Sequence, residues 1–350
     1  MNKNRGKGKR TALIVLCVIL ALILSVLVAA TVWVEVTLGK INKADDETLS
    51  AEELDNIRNE TEALDPDFSG PIVDVNDVTE PNTSADIIDA GENIINIMLV
   101  GQDRRPGQSR QRTDAMILCT INKENKTLTM TSFMRDMYVT IPEYWNDRMN
   151  GAYYVGGFTA LYDTLSYNFG VEVHHGIEVD FGGFQQIIDL VGGVDIELTA
   201  NEASYLNRRG NWDVNNSSAG TWWLTEGVNH LTGEQALAYS RIRAIGNDFG
   251  RTSRQRTVLT ALVEKAKTLS LTEMYTLVDG FIPLITTDMS NTDIIGYVVE
   301  LFPLLSDLTI VNQRIPEDGG YSNVTLSNGA QVLMPDLEMA QELLRQTIGD

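Results

Sequence analysis

Residues 94–136 read IINIMLVGQDRRPGQSRQRTDAMILCTINKENKTLTMTSFMRD. Three apolar runs, 94–100, 115–121 and 128–133, have the length of buried strands. The turn-like Asn122-Lys123-Glu124-Asn125 joins the second to the third. Charge gathers where the runs end. Asp103, Arg104 and Arg105 follow the first, Arg112 and Asp114 lead into the second, and Arg135 and Asp136 follow the third. In α/β sheets, ligands collect beyond strand ends, where loops bring polar groups together.

Downstream, residues 158–169 and 181–191 carry apolar residues at helical spacing, and Gly192-Gly193 ends the second helix. Residues 194–198 (VDIEL) return as a strand, 234–239 form a helix, and 257–269 continue another. Residues 271–305 read as helices broken by Gly280, Pro283 and Pro303; 308–314 is a late strand and 336–347 a closing helix. This alternation predicts one α/β domain over residues 93–350, with helices packed on a central sheet.

A second charged stretch, residues 236–256, reads ALAYSRIRAIGNDFGRTSRQR. Arg241 and Arg243, two apart, share one side of an extended segment; Arg251, Arg254 and Gln255 share one face of a helix. Between them Gly246, Asn247, Asp248 and Gly250 supply turn chemistry before a helix start. A strand end and a helix N-terminus bearing guanidinium groups suit a multivalent anion. Any one of these arginines reads more simply as a surface ion pair. Five of them against one acid, inside an acidic domain, form a basic cluster that is harder to read that way.

The chain has 350 residues and a formal net charge of -21, a balance that argues against general nucleic-acid binding. Residues 93–350 hold fifteen arginines but four lysines, a bias that fits bidentate recognition of phosphate or carboxylate. Cys17 lies in an apolar run and Cys119 in a strand, so neither a disulfide framework nor a cysteine metal site is expected. The common serine, zinc, dithiol and P-loop signatures are absent, and His174, His175 and His230 suit packing or surface roles. Asp103, Asp114 and Asp136 remain as hard-oxygen ligands, which suit Mg²⁺ shared with phosphate oxygens. Arginine stays protonated, so any general base must come from the aspartates.

Five bases and no acid occupy residues 1–10, a basic tail. Residues 11–34 carry no charge, and about 36 Å of helix would span a bilayer. A cleavable signal ending near Ala29-Ala30-Thr31 is the alternative, but the apolar run exceeds a usual signal core. The basic flank places the tail in the cytoplasm and the rest of the chain outside the cell membrane. Residues 35–92 read as an acidic extracellular stalk, with a helix within 48–64 that starts at Ser50 and has Glu53 three residues on.

The segments INIMLVGQDRR, RTDAMIL, TSFMRDMYVTIP, MNGAYYVGG, EVDFGGF, LVGGVDIEL, LTGEQALAYSRIR and DFGRTSRQR occur in an order that resembles the LytR-CpsA-Psr family of envelope proteins. Two departures are visible: Met134 stands where the family usually has Pro, and Arg148-Met149-Asn150 where Lys-Ile-Asn is common. The resemblance implies a central mixed β-sheet with helices on both faces, preceded by one transmembrane helix. It also implies transfer of an anionic glycopolymer, of teichoic acid or capsular polysaccharide type, from a polyprenyl-pyrophosphate carrier to peptidoglycan. By matching motifs, Asp103 and Asp114 would hold Mg²⁺ or shape the pyrophosphate site. Arg135, Arg241, Arg243, Arg251 and Gln255 would bind the pyrophosphate, helped by Arg112 and by Arg104 or Arg105. Asp103, Arg135 and Arg243 form the implied catalytic set, with Asp103 assisting deprotonation of the acceptor, and residues 181–191 would wall a lipid pocket. A hydrolase using water as acceptor and a non-catalytic glycan receptor or regulator remain open alternatives.

Overall fold

Alternation along two strands sets the layers of the fold. In β3 (Ile94–Gln102) and β4 (Thr113–Asn122), Met98 and Val100 lie opposite Leu118 and Met116 on one face, and Leu99 lies opposite Ile117 on the other. Both faces are apolar, so both must be covered. The computed structural model describes residues 35–44, 49–58, 70–74, 84–104, 108–208 and 222–349. These fall into two units, Met1–Ile41 and Asn42–Asp350. In the first unit only 35–41 are described, with a turn of helix over 35–38. The basic tail and the uncharged run 11–34 lie outside the described residues, among which no helix is long and apolar enough to cross a membrane.

The second unit is built on a seven-stranded mixed sheet. Its order is β1 (Asn42–Lys43), β11 (Ile285–Thr287), β8 (His175–Asp180), β3, β4, β5 (Thr127–Phe133) and β12 (Thr309–Ile315). β3 pairs parallel with β8 and antiparallel with β4, and β12 adds parallel to β5. On the first face, α2 (Asn150–Phe169) and α9 (Leu337–Ile348) bury Met98, Val100, Met116, Leu118 and Phe133. α2 bends at Gly156-Gly157, where Gly157 has φ 64°, and so begins eight residues before the periodicity of 158–169 predicts. On the second face, α6 (Asn247–Ala266) and α8 (Asn291–Leu301) lay Leu259, Val263, Tyr297 and Leu301 over Ile95, Ile117 and Met130.

A smaller cluster stands beside this second face. It joins α3 (Phe181–Leu190), α4 (Ala200–Leu206), α5 (Gly233–Ser240) and the ribbon of β9 (Val194–Leu198) with β10 (Gly227–Leu231). The VDIEL strand thus belongs to the ribbon and not to the central sheet. α3 and α5 touch so closely at Gly233 that a Cβ there would sit 2.1 Å from the Gln185 carbonyl oxygen. Gly233→Ala is therefore expected to cost about 1–3 kcal/mol by forcing the helices apart, measurable as a lower urea midpoint.

Three further expectations are corrected. Part of the supposed stalk is built into the fold: Ile57 of α1 (Ala51–Arg58) is 4% exposed within the main core. β1 edges the sheet, and β2 (Ile72–Val73) pairs with β13 (Tyr321–Leu326). The predicted cap is present, with Ser50 and Glu53 bonding each other's backbone N–H groups. Second, residues 271–305 are not all helical, because β11 adds to the sheet between two helices; Gly280 lies inside α7 (Leu271–Phe281). Third, Arg241 and Arg243 are not on a strand end. They follow the C-terminus of α5, Arg241 itself being its cap.

Candidate functional site

A cavity of about 620 Å³ opens between the second face of the sheet and helices α3, α5 and α6. Its floor is the strand face of Leu99, Gly101, Ala115, Ile117, Ile177 and Val179, and Phe181, Phe184, Leu237 and Leu259 form apolar walls. Gly101 keeps the floor open, since a Cβ there would lie 3.2 Å from that of Ala115. Only one end is charged. Asp103, Arg112, Asp114, Arg135, Arg241, Arg243, Arg251 and Gln255 all line it.

The strand ends bring these groups together. Asp103 leaves β3, Arg112 and Asp114 enter β4, and Arg135 follows β5; the start of α6 brings Arg251 and Gln255 across from the other side. Asp114 is the hub. Its Oδ1 accepts from Arg251 Nη1 at 2.8 Å and Arg135 Nη1 at 3.3 Å, with Arg243 Nη2 at 3.4 Å. Asp248 braces the same three arginines, at 3.0 Å from Arg251, 3.6 Å from Arg135 and 3.8 Å from Arg243. Arg112 pairs with Asp147 at 3.2 Å and donates to Asn150 Oδ1 at 3.2 Å. Gln255 Nε2 reaches the Asp114 carbonyl at 3.5 Å, while its Oε1 is buried without a hydrogen-bond partner among the described residues.

The site has a fixed base and an open rim. Arg251 is 3% exposed, whereas Arg241 and Arg243 are about half exposed. Arg241 lies over the Phe181 ring at 4.5 Å and stands 3.7 Å from Asp103. Burial alone would raise the Asp114 pKa, but the charges of Arg251, Arg135 and Arg243 and the Arg251 hydrogen bond outweigh it and hold the carboxyl below its ordinary value. Burial, together with Arg251 and Arg135, lowers the Arg243 pKa despite Asp248 and Asp114. The positive groups outnumber their counter-ions here, and a bound anion would relieve that excess.

Among the described residues, Arg104, Arg254 and Asp136 do not line the cavity; Asp136 pairs with Arg135 at 3.4 Å and Arg148 at 3.7 Å. Arg104 turns to Glu178, 2.9 Å away and 3% exposed, whose other oxygen accepts from Tyr153 Oη at 2.8 Å. Arg105 lies outside the described residues. Arg254, placed by its spacing on the face of Arg251 and Gln255, faces away and pairs with Glu202 at 2.7 Å. It also donates to the carbonyls of Ile242 at 3.1 Å and Ile245 at 2.8 Å, fixing the link that carries Arg243. Asp248, Asn150 and Glu178 take part without having been singled out. The Thr-x-x-Glu box at Thr199 would have flagged a helix start, but not that its Glu202 grips Arg254.

For a divalent cation, the donor set is two carboxylates at the mouth of the cavity. No group of three or more His, Cys, Asp or Glu that could hold a metal occurs among the described residues. All three arginine bonds to Asp114 use Oδ1. Such a pair fits Mg²⁺, which takes one or two carboxylates and completes its shell with phosphate oxygens and water.

Comparison with known proteins places this cavity in context. The model of the LytR_cpsA_psr family matches residues 58–347. The polyisoprenyl-teichoic acid–peptidoglycan teichoic acid transferase TagT of Bacillus subtilis (strain 168) is 30% identical over 228 residues, 64% of this chain and 67% of that protein. TagU of Bacillus mycoides (strain KBAB4), a transferase of the same name, is 34% identical over 188 residues, 52% of this chain and 55% of that protein. The chain thus spans about two thirds of the one relative and just over half of the other. The solved structure of the LytR-CPS2A-psr family protein YwtF (TagT) with bound octaprenyl pyrophosphate lipid shares the fold. Its TM-score is 0.56 at 24% identity, over 79% of this chain and 96% of that one.

Proposed function

The chain belongs to the LytR-CpsA-Psr family, and from that premise we propose that it is a phosphotransferase moving an anionic glycopolymer from a polyprenyl-pyrophosphate carrier to peptidoglycan. One observation carries the reading: five arginines and two aspartates gather at one end of an apolar cavity of about 620 Å³. That shape suits an amphiphile with a pyrophosphate head and a hydrocarbon tail. The relatives' printed names, with polyisoprenyl-teichoic acid as donor and peptidoglycan as acceptor, support the same chemistry. The uncharged run 11–34 supports a single-pass anchor with the N-terminus cytoplasmic and residues 42–350 outside.

In this mechanism a sugar hydroxyl of peptidoglycan attacks the phosphorus bonded to the glycopolymer. A new P–O bond forms, the bond to the bridging oxygen breaks, and polyprenyl phosphate leaves. Arg135 and Arg251, braced by Asp114 and Asp248, hold the non-bridging oxygens in place before reaction, so little reorganisation is needed as charge develops. Arg241 and Arg243 close from the rim onto the leaving phosphate. The acceptor proton goes to Asp103. Asp114 is unsuited to that task because three arginines keep it ionised and weakly basic. Mg²⁺, held by Asp114 and Asp103, would neutralise the pyrophosphate when bound, a duty that would compete with proton acceptance at Asp103.

Asp103→Asn is expected to lower kcat by about 10²–10⁴ while leaving donor affinity within about threefold. Loss restored by millimolar Mg²⁺ would mean that the carboxylate serves the metal and not the proton. The overall reading is tested with the full chain in vesicles, a lipid-linked pyrophosphoryl glycan and a peptidoglycan oligomer, followed by product mass. A phosphodiester-linked glycan supports it. Free polyprenyl phosphate without linked product sinks it in favour of hydrolysis.

A further inference from the structure

Helix α8 is apolar on two sides. Tyr297 and Leu301, with Leu305 beyond the helix, pack on the second face of the sheet. On the outside, Ile295, Val298, Val299 and Phe302 follow one another at i, i+3, i+4 and i+7, and are 43%, 54%, 70% and 40% exposed. No residue of α8 is buried. One apolar side of α8 is covered by the sheet, and the other, between Asp293 and Glu300, stands on the surface, as in an amphipathic helix that lies at an interface.

Three observations choose the occupant. First, chain continuity brings an apolar run close. β1 pairs with β11, Asn42 donates to the carbonyls of Pro283 at 3.0 Å and Ile285 at 3.1 Å, and α8 begins four residues after β11. Val34 ends the uncharged run eight residues before Asn42, a reach of at most about 28 Å of extended chain. Second, the arginine cluster lies where β3 ends and β4 begins, whereas α8 packs over Ile95 and Ile97 at the opposite end of the same sheet face. The apolar floor of the cavity ends at Leu99 and Ile117, and the apolar cluster that holds Leu99 and Ile117 continues through Ile97 and Ile95 to α8. Third, two of the acids beside the stripe are paired, Glu300 with Lys123 at 2.6 Å and Asp307 with Lys126 at 2.7 Å, and the carboxylate of Asp293 is turned to the Ser290 backbone N–H at the helix start. Two paired acids give an anionic bilayer little to repel, and the lysine stems can reach up to its headgroups.

We propose that the stripe of Ile295, Val298, Val299 and Phe302 is the surface by which the folded domain rests on the lipid bilayer. This goes beyond the transferase reading and takes from it only that the chain is held at a membrane. A weak interfacial contact suffices, because tethering makes its formation intramolecular.

The test uses the full chain in phosphatidylglycerol–phosphatidylcholine vesicles, with Cys17→Ser and Cys119→Ala, and a fluorescent label on Val299→Cys or, as control, on exposed Ser327→Cys. Brominated lipids are expected to quench the label at 299 at least about threefold more than the label at 327, as an interfacial helix requires. Equal quenching at both positions overturns the proposal. Cross-linking between copies at 299 without lipid quenching also overturns it, in favour of a second copy of the chain. The double variant Val298→Asp/Val299→Asp, on exposed positions, is expected to slow transfer from a bilayer-held long-chain donor about tenfold and from a soluble short-chain donor less than twofold. Equal slowing with both donors counts against a bilayer contact. If the wild type transfers nothing, the function reading fails, and the quenching result still decides the surface.

Discussion

Arg243→Ala is expected to slow glycopolymer transfer by about 10²–10³ while leaving thermal stability nearly unchanged. The two halves of that expectation have separate causes. Arg243 is about half exposed, with Asp114 at 3.4 Å and Asp248 at 3.8 Å, and both acids keep Arg251 and Arg135 when it is lost. No buried charge is therefore stranded. For the reaction the balance reverses. The Arg243 pKa is lowered by burial and by Arg251 and Arg135, and a phosphate beside it would relieve that repulsion. Single-turnover rates at saturating donor, beside a melting curve, separate the two effects. An unchanged rate would remove Arg243 from the reaction. Arg135→Ala should match the loss of rate but also lower stability, since its side chain is 17% exposed and pairs with Asp114 and Asp136.

Arg254→Met is expected to cost about 3–5 kcal/mol of stability, the largest loss foreseen for a single side chain here. The Arg254 and Glu202 side chains are 8% and 9% exposed, and removing the cation leaves Glu202 charged inside the cluster under α6. The carbonyls of Ile242 and Ile245 lose their donors as well, and these hold the link that carries Arg243. Activity should therefore fall along with stability. Adding Glu202→Gln to Arg254→Met is expected to recover much of the stability, because the stranded charge is gone, but not the rate. Failure of the double variant to recover would mean that packing, not charge, is what Arg254 supplies.

The same pair sets a pH dependence. Burial alone would raise the Glu202 pKa, but bonds from the Thr199 backbone, Arg254 and the Thr199 hydroxyl lower it below the ordinary glutamate value. A lowered folded value means that the unfolded chain binds the proton first on acidification. The Glu202 contribution is thus complete above the ordinary glutamate pKa and is lost as pH falls through the lowered folded value. Melting temperatures of the wild type and Glu202→Gln should differ by a constant amount at neutral pH and converge only in acid.

Much of the architecture was legible because it is local. Strand length, alternation and the charged residues beyond each run brought Asp103, Arg112, Asp114 and Arg135 to one end of a sheet. Short or distant elements were not legible. β11 has three residues and β1 two, too few to show a period, and each is a strand only because an edge was there to pair with. The acidic composition of residues 35–92 hid Ile57 and Ile88, two apolar side chains that reach the core.

The sequence by itself determined which residues carry the charge and that they stand at element ends, because strand and helix periods are properties of neighbouring residues. Tertiary structure alone decided which charges meet. Arg254 and Gln255 are adjacent in sequence, yet one faces the cavity and the other Glu202, since one step along a helix turns a side chain by about 100°. Arg104 went to Glu178 because β8 lies beside β3 and presents a carboxylate that could not stay buried unpaired. Asp248 became the second hub only when α6 came to rest over the strand ends. Glu202 and Arg254, Arg104 and Glu178, and Arg135 and Asp248 lie tens of residues apart, and the cost of leaving a buried charge unmatched fixes such pairs only after the layers have closed.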